Sequence, residues 1–535
     1  MRWIDKWVDW LANRPVLLWR LAALALFTGL TLYVTWRASL VVDGVRYFWL
    51  DDDQMISMRY ARNLAHGHGL VWNPGERVEG YSNLLWTLLM ALVHWLPLPA
   101  NLIALPIKFL AWLSGCGLIL AAEQLLRRFW PRPGLAQPAL LFALAAHVDL
   151  VYWAANGFET PLLALLFVVV LVRLLDEAGH GPRPFTYALL ALIPLVRSDA
   201  LHVWGAAALV ALGLAPDWQR RRQVATWLGL ALLPVMGHFV WRYSYYGAWL
   251  PNTYYLKVAG IPDLPRLGLA YLGRNLAFNW VPAGLALVSL LWFRERRHWL
   301  LAVAFGVGGL YILRVGGDTF RFGRFLAHLL PLLLVLAILP AQQLRGRWQQ
   351  LLFLALFGLG AAGPSLYRRD YVSFNGSPLL TIPTALRIRA HTAPEASVAV
   401  LAAGMVPYFS ERPAIDLLGK SDPYVARLAP APRWEGPSWL GHNKFDIDHS
   451  LALAPDIVVT QLPDEWVRDD EWIAEQLAAT GRWWAVALIS DDTFIDHYRP
   501  NPVPLDFFLT YGGVYIRDDS PEMANRLTWQ PYQPQ

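Results

Sequence analysis

The sequence predicts a polytopic all-α membrane bundle of about eleven transmembrane helices, followed by a C-terminal soluble α/β domain. Of the 535 residues, 56% are hydrophobic and only 16% are charged, whereas about a quarter of the residues of an ordinary soluble protein are charged. Apolar stretches without a strand-like alternation recur from residue 16 to residue 366. The predicted spans are 16–36, 101–123, 137–155, 161–175, 185–197, 200–214, 224–246, 278–293, 298–314, 325–342 and 350–366.

The basic residues support this reading because they cluster between the spans on one predicted side of the membrane. The clusters are the N-terminus and residues 127–132, 173–183, 220–222, 294–297 and 345–347. This arrangement is typical of cytoplasmic loops rather than of a nucleic-acid-binding surface, despite the net charge of +5. For all of these clusters to lie on one side, residues 83–97 must not span the membrane. We therefore expect an amphipathic helix there, lying on the outer surface with Trp86 and Trp95 at headgroup level.

The charge pattern also predicts the domain organisation. Residues 1–366 form the transmembrane domain, with a first outer loop at 37–100, and residues 367–535 lie outside the cytoplasmic membrane of a bacterium. Short alternating runs at 397–401 and 457–459 predict strands in this C-terminal domain. The single cysteine, Cys116, lies in an apolar run and is interpreted as a small buried side chain.

Three consecutive acids, Asp51, Asp52 and Asp53, open the first outer loop. They repel one another, which costs free energy unless they bind a ligand or perform chemistry. Apolar and basic residues recur at helical spacing over residues 55–62, so a short surface helix is expected to begin just after the acids, with its dipole holding them ionised. The simpler alternative is a helix cap with two solvated carboxylates.

Two further segments place charges at predicted membrane boundaries. Arg197 and Asp199 interrupt a long apolar stretch, and they form either a structural salt bridge or part of a substrate cavity. Asp318, Arg321 and Arg324 lie where a helix re-enters the membrane. Arginine suits a phosphate group, although the same residues could anchor helices at headgroup level.

Other polar residues are candidates for contact with a sugar. Asn252, Tyr255 and Lys257 follow aromatic residues in 249–257, a mixture that suits a sugar face but also an aromatic interface belt. Glu159 is the acid of a turn at 156–161, and a helix cap is an equal alternative. His442 and Lys444 begin a polar cluster that lacks zinc-ligand spacing, so acceptor contact is predicted there, and no metal or cofactor is predicted.

Several of these segments together resemble, in order, the mycobacterial terminal arabinofuranosyltransferase family of polytopic GT-C glycosyltransferases. They are 52–81, 156–161, 197–199, 246–255 and 316–325, with weaker similarity at 404–410, 415–419 and 454–456. The resemblance implies a GT-C fold, a sugar donor on a polyprenyl phosphate, classically decaprenyl-phosphoryl arabinofuranose, and a glycan acceptor outside the cytoplasmic membrane. It also implies a pair of surface helices between the first two spans.

Carried over by position, Asp52 fits the catalytic aspartate of that family and Asp53 its neighbour. Asp51 is an additional acid, which leaves the register within the triplet open by one, and Gln54 and Met55 replace a smaller pair of residues. The predicted substrate-binding residues are Asp51, Arg59, His68, Glu79, Tyr81, Glu159, Arg197, Asp199, Asn252, Tyr255, Lys257, Asp318, Arg321, Arg324, His442 and Lys444.

The sequence therefore predicts a membrane glycosyltransferase with a glycan or glycoprotein acceptor, in which Asp52 is the general base and the donor phosphate is bound by Arg324, Arg321 and Lys257. A single displacement inverts the anomeric centre, whereas the β-linked donor and product of the resembled family imply retention, with Asp52 or Asp53 as a nucleophile. Two other classes stay open: a transporter or flippase of lipid-linked glycans, for which no repeated halves are visible, and a noncatalytic glycan-binding scaffold.

Overall fold

A computed structural model describes residues 15–320, 322–367, 377–431, 440–459, 483–500 and 513–528. The chain divides into two compact units. The helical unit comprises Met1–Arg37, Lys108–His238 and Leu264–Ser373, and the sheet-bearing unit comprises Ala38–Ile107, Phe239–Asp263 and Phe374–Gln535. The second unit thus combines the first predicted outer loop, a segment after residue 238 and the C-terminal region.

The first elements in chain order are α1 (Val16–Arg37), β1 (Ser39–Val42), β2 (Val45–Phe48), α2 (Asp52–Ala65), α3 (Leu84–His94), α4 (Ala104–Phe129), α5 (Ala136–Ala145), α6 (Val148–Ala155), α7 (Thr160–Glu177) and α8 (Pro184–Val196). They are followed by α9 (Leu201–Leu214), α10 (Trp218–Tyr246), α11 (Asn252–Lys257), α12 (Leu264–Phe278), α13 (Trp280–Trp292), α14 (Arg296–Val315), α15 (Arg324–Ala327), α16 (Leu330–Ile338) and α17 (Arg347–Tyr367). The last are α18 (Ser377–His391), β3 (Val398–Val400), α19 (Met405–Ser410), β4 (Ala414–Asp416), α20 (Ile447–Ala452), β5 (Ile457–Val459), α21 (Trp483–Ile489), α22 (Asp492–His497), β6 (Tyr498–Pro500) and β7 (Val514–Arg517).

Helices suited to crossing a membrane are fewer than predicted. Within the described ranges, α1, α4, α10 and α14 are each long and apolar enough, and the bent pairs α5 with α6 (47°) and α12 with α13 (94°) raise the number to six. Several predicted spans are shorter helices. For example, the 13 residues of α8 extend about 20 Å, less than the roughly 30 Å of a bilayer core. The predicted membrane character is supported, but the number eleven is not confirmed.

A buried carboxylate shows how the helical unit tolerates charge in an apolar helix. Glu123 of α4 is fully buried, and its oxygens accept hydrogen bonds from Arg20 at 2.6 Å and Gln137 at 2.7 Å. Arg127, one helical turn later, lies 3.0 Å from the same carboxylate. These partners offset the desolvation of the charge and join α1, α4 and α5.

The C-terminal region forms the predicted sheet. Its strand order is β4-β3-β5-β7-β6, with β3 parallel to β4 and β5, and with β7 antiparallel to β5 and β6. The two runs that predicted strands are β3 and β5, and both are buried along their whole length. Such continuous apolar strands are typical of a parallel sheet covered on both faces.

The first predicted outer loop contains the two helices that the sequence indicated. Helix α2 begins at Asp52, as expected from the helical spacing that follows the acids, but most of its residues are buried rather than on a surface. Helix α3 falls within the predicted segment 83–97. The expectation for Trp86 was wrong: its side chain is 1% exposed and packs inside the protein, whereas Trp95 is 67% exposed.

A buried ion pair fixes the chain between α2 and α3. Arg242 donates to both carboxylate oxygens of Glu79, at 2.6 and 3.1 Å, and both side chains are almost completely buried. Nearby, the Tyr246 hydroxyl donates to the carbonyl of Leu70 at 2.7 Å and lies 3.2 Å from the Tyr81 hydroxyl. The loop is therefore bound to the end of α10 through groups that have few other ways to satisfy their polarity.

Removing one partner of this pair is expected to destabilise the sheet-bearing unit strongly. Arg242→Met leaves the carboxylate of Glu79 buried without its counterion, which costs about 3–5 kcal/mol. Replacing both residues, as Arg242→Met with Glu79→Leu, should recover most of that loss because no buried charge remains. Denaturant unfolding in detergent micelles measures the difference.

The matched control is the exposed pair of Arg389 with Glu411, 3.1 Å apart. Arg389→Met should cost no more than about 1 kcal/mol, because water already solvates both groups. Equal losses for the buried and the exposed pair would contradict the role assigned to Glu79 and Arg242.

Candidate active site

The acidic triplet lies at the N-terminus of α2. Asp51 is the residue before the helix, and its side chain makes no capping hydrogen bond, while its backbone carbonyl accepts from the N–H groups of Gln54 and Met55. Asp52 and Asp53 occupy the first helical turn. Negative charge is favoured at this end of a helix.

The carboxylate of Asp52 is bound by the C-terminal region. Its Oδ1 accepts the N–H of Met405 at 2.7 Å and its Oδ2 accepts the N–H of Gly404 at 3.3 Å. A Cβ at Gly404 would collide with the backbone carbonyl of Asp52 and lie 2.9 Å from its Oδ1. Glycine therefore permits the close approach that orients this acid.

Burial, more than the helix dipole, determines the ionisation of Asp52. Desolvation raises its pKa above the ordinary value, whereas the positive charge of Lys420 and the N–H of Met405 lower it. The expectation that the dipole alone holds the acid ionised is therefore too simple. A carboxylate with a raised pKa accepts a proton more readily than a solvated one.

Asp53 belongs to the same cluster but has a different partner. Its Oδ2 lies 3.8 Å from Nζ of Lys257, the last residue of α11, and each side chain is 24% exposed. Gly441 lies against the Lys257 side chain, because a Cβ there would approach Cε to 2.8 Å. This pair is accessible to water and to a ligand.

His442 and Lys420 complete the cluster around the two acids. Burial, followed by the charges of Lys420 and Lys257, lowers the pKa of His442 to about 3, while Asp53 opposes this shift. The imidazole is thus neutral at physiological pH. Sequence reasoning missed Lys420, although it follows directly after the segment 415–419 that carries part of the family resemblance.

Two predicted ligands instead hold the backbone that carries the lysines. The Asn252 amide donates to the carbonyls of Gly419, Lys420 and Asp422 at 2.9, 3.2 and 3.0 Å. Lys444 is buried, and its Nζ donates to the carbonyls of Tyr255, Ala259 and Ala426 at 2.7, 2.9 and 3.1 Å. Asn252 thus joins α11 to the segment containing Lys420, and Lys444 fixes the other end of α11.

Other predicted substrate ligands in this unit are engaged within the protein. Arg59 donates to the carbonyls of Trp72, Pro407 and Arg412 and to the side chain of Asn73. Glu79 and Tyr81 belong to the buried contacts around α10 described above. His68 is exposed, in the loop after α2. Arg59, Glu79 and Tyr81 thus bind other parts of the protein, while their predicted contacts with substrate, and that of His68, stay predictions.

The helical unit brings a second set of predicted residues together. Arg197 donates to Asp199 at 2.7 and 2.9 Å and to Glu159 at 3.2 Å. The hydroxyl of Tyr311 donates to Asp199 at 2.7 Å. The sequence left open whether Arg197 and Asp199 form a structural bridge, and the geometry shows that they pair and that Glu159 joins them.

Arg324 lies near this network. Its guanidinium is 2.6 Å from Asp318, and its Cζ is 4.7 Å from the ring centroid of Phe320. The ring of Phe325 lies near both arginines, 5.2 Å from Cζ of Arg197 and 5.5 Å from Cζ of Arg324. Arg321, the other predicted phosphate ligand, lies outside the described residues.

Two histidines in this region were not predicted. His202 Nδ1 lies 2.7 Å from the carbonyl of Asp199, so this nitrogen carries the proton and Nε2 accepts from His328 Nε2 at 3.2 Å. The His202 ring stacks on Tyr311 at 3.9 Å. The sequence signal for His202 was its position three residues after the predicted Arg197-Ser198-Asp199 turn. In the described part of the chain, no group of three or more His, Cys, Asp and Glu residues is placed to hold a metal ion.

The contact between Gly404 and Asp52 predicts a specific sensitivity. Gly404→Ala should displace the backbone of Asp52 and lower the unfolding temperature, because the added methyl group meets a carbonyl oxygen rather than a movable side chain. Gly205→Ala in α9 is the control, since a Cβ there has no heavy atom within 4 Å and alanine favours a helix. Thermal unfolding of both variants in micelles measures the effect, and equal stability would contradict the close approach.

Comparison with known proteins finds one family model and two sequence relatives that each match part of the chain. Residues 375–493 match a family model described as "Domain of unknown function (DUF8728)". The terminal β-(1→2)-arabinofuranosyltransferase of Mycobacterium tuberculosis is 30% identical over 374 residues, 60% of this chain and 58% of that protein. The enzyme of the same name from Corynebacterium glutamicum is 28% identical over 382 residues, 61% of this chain and 54% of that protein. The matches thus span less than two thirds of these relatives.

Solved structures with the same fold have low sequence identity. The oligosaccharyltransferase of Archaeoglobus fulgidus in its apo form aligns with a TM-score of 0.56 at 12% identity, over 96% of this chain and 76% of that one. ArnT from Cupriavidus metallidurans bound to undecaprenyl phosphate aligns with a TM-score of 0.56 at 13% identity, over 94% and 98%. The predicted resemblance is therefore confirmed: the chain is similar in sequence to terminal β-(1→2)-arabinofuranosyltransferases and has the fold of GT-C membrane glycosyltransferases.

Proposed function

We propose that this protein transfers a sugar from a polyprenyl-phosphate carrier to a hydroxyl group of a glycan or glycoprotein, with Asp52 as the general base. The observation that supports this most directly is the placement of Asp52. Two backbone N–H groups orient its carboxylate beside a second acid, which is paired with Lys257. A glycosyl transfer needs both an oriented base and a nearby cation.

The donor is proposed to be decaprenyl-phosphoryl arabinofuranose. The name shared by the two sequence relatives supports the arabinofuranosyl group, and the undecaprenyl phosphate bound to ArnT supports a polyprenyl-phosphate carrier. Asp52 and the sheet-bearing unit are proposed to lie on the outer side of the cytoplasmic membrane, with the N-terminus inside, as the distribution of basic residues predicts.

In the proposed reaction, the acceptor hydroxyl attacks the anomeric carbon while its proton passes to Asp52. The bond between the anomeric carbon and the phosphate oxygen breaks, and its electron pair stays on the polyprenyl phosphate. A cation near that oxygen stabilises the charge that develops there. A positioned base typically contributes about a hundredfold to ten-thousandfold in rate.

The network in the helical unit is proposed as a second substrate-binding region. Arg324 is already paired with Asp318, and Arg197 with Asp199 and Glu159. An anion could bind there only by displacing a carboxylate from an arginine. We propose that the network orients the carrier or the sugar by such an exchange.

Asp52→Asn is expected to lower the rate of transfer by about a hundredfold to ten-thousandfold while the protein stays folded, because asparagine keeps the shape of the side chain and can accept the N–H of Met405 but cannot take the proton. The assay uses purified protein with radiolabelled decaprenyl-phosphoryl arabinofuranose and an oligosaccharide acceptor, which also separates transfer from mere transport or binding.

Asp43→Asn is the control, because Asp43 is an exposed acid of the same unit that pairs with Arg387 at 3.2 Å. It should leave the rate nearly unchanged. A variant Asp52→Asn with close to full activity would refute the assignment of the base. Larger loss in Asp53→Asn, together with a retained anomeric configuration by NMR, would instead favour a nucleophilic Asp53.

The pH dependence of kcat/KM should reflect the raised pKa of Asp52. The base acts as a carboxylate, so activity is present above its pKa and is lost as the pH falls through it. Because burial raises that pKa, the acidic limb should lie above the value of about 4 for an ordinary aspartate. Lys420 lowers the pKa of Asp52, so Lys420→Met should move the limb to still higher pH. A limb that stays at about pH 4 in both proteins would contradict this origin.

A further inference from the structure

Lys420 is nearly completely buried, with 5% of its surface exposed. Within the described ranges of the chain, its Nζ has no hydrogen-bond acceptor and no ion-pair partner. Its charge acts on the carboxylates of Asp52 and Asp416 without a hydrogen bond to either. The contrast is Lys444, equally buried, whose Nζ donates to three backbone carbonyls. Lys444 has the environment of a structural lysine, and Lys420 does not.

The acids close to Lys420 are bound by other donors. Asp52 accepts the N–H groups of Gly404 and Met405. Asp416 accepts the N–H groups of Leu418 at 3.1 Å and Ser421 at 2.6 Å. Both carboxylates interact with the charge of Lys420, but neither is within hydrogen-bond distance of its Nζ. Among the residues described, no acceptor therefore takes the N–H groups of this ammonium.

A second lysine lies in the same cluster. Lys257 and Lys420 both act electrostatically on His442, and Lys257 is near Asp53. The two lysines come from separate parts of the chain, which the Asn252 side chain joins by its three hydrogen bonds to the 419–422 segment. The structure therefore places two cations beside the proposed base by a built arrangement rather than by chance exposure.

We propose that Lys420, with Lys257, binds the phosphate group of the lipid-linked sugar and receives the negative charge that develops on it when the sugar leaves. This rests on the proposed function and assigns the phosphate to lysines of the sheet-bearing unit, one of which sequence reasoning did not identify. Lysine suits this task as a compact charge with three rotatable donors. In the reaction, the phosphodiester monoanion becomes a phosphate monoester, so the cations are needed most as the carbon–oxygen bond breaks.

The test is the binding of three probes to the full chain in detergent micelles: decaprenyl phosphate, inorganic phosphate and uncharged decaprenol. Lys420→Met should weaken decaprenyl phosphate binding by about 10- to 100-fold, the effect of losing a hydrogen bond to a charged group, and should leave decaprenol binding unchanged. Lys420→Arg should restore part of the affinity. Arg389→Met removes an exposed positive charge of the same unit and is the control for net charge.

The binding of inorganic phosphate distinguishes a site for a lipid-linked phosphate from a site for a free anion. Binding of decaprenyl phosphate that depends on Lys420, with weak binding of inorganic phosphate, supports the lipid-linked phosphate. Binding of inorganic phosphate with equal or higher affinity than the lipid would overturn it in favour of a free-anion site.

The unfolding temperatures of the variants distinguish a loss of binding from a loss of folding. Lys420→Met should lower the unfolding temperature only slightly, because Nζ of Lys420 donates no hydrogen bond to the residues described and its charge acts on Asp52 and Asp416 without contact. Lys444→Met should lower it more, because three carbonyls lose their donor. A large loss of stability in Lys420→Met would show that the lysine is structural and would overturn the proposal.

Binding and transfer give separable outcomes. If the wild-type protein transfers arabinofuranose while Lys420→Met binds decaprenyl phosphate with wild-type affinity, the phosphate assignment is wrong and the proposed function stands. If binding depends on Lys420 but no sugar is transferred from any polyprenyl-phosphate donor, the anion site stands and the proposed function is wrong.

Discussion

The contact between the Asp52 carboxylate and the backbone of Gly404 and Met405 is the constraint on which the proposed site depends. It joins the N-terminus of α2 to that of α19, far apart in the chain, through hydrogen bonds that hold the acid in one orientation. Neighbouring contacts strengthen the same junction. Arg59 donates to the carbonyls of Pro407 and Arg412, and the indole of Trp72 donates to the carbonyl of Ala403. Buried donors and acceptors that satisfy one another make such a junction costly to open.

In the sheet-bearing unit, the acids and the lysines differ in the hydrogen-bond and ion-pair partners that they have. The charge of Lys420 and the N–H groups of Met405 and Gly404 all stabilise the Asp52 carboxylate. Among the residues described, Nζ of Lys420 has no hydrogen-bond acceptor, while Asp53 shares Lys257 in a partly exposed pair. His442 stays neutral between the two cations, so it adds no charge to the cluster. A lysine without a hydrogen-bond acceptor of its own can donate to an anionic substrate.

In the helical unit, by contrast, the described arginines of the predicted site are paired directly with carboxylates. Arg197 is held by two carboxylates and Arg324 by one, and aromatic rings cover the guanidinium groups. Charges at such positions are expensive in an apolar unit, and pairing reduces that cost. A ligand that binds here must compete with existing partners, which favours specificity over tight binding.

The sequence by itself determined the features that arise from local pattern and composition. It predicted the membrane character, the helix following the acids, strands β3 and β5, and the chemical identity of the residues that later meet, including Asp52, Asp53 and Lys257. These follow because hydrophobic period, charge bias and helix-start signals act over a few neighbouring residues. The count of eleven spans did not follow, since hydropathy cannot distinguish a full crossing from a short or bent buried helix.

Only the tertiary structure decided which polar residues are engaged internally. Arg59, Glu79 and Lys444 have the composition of ligand-binding residues, but each is satisfied by partners distant in the chain, whereas Lys420, an ordinary lysine in sequence, is buried with no acceptor among the residues described. The physical reason is that burial and hydrogen-bond satisfaction depend on contacts between residues hundreds of positions apart, such as Asp52 with Met405. No local pattern records those contacts.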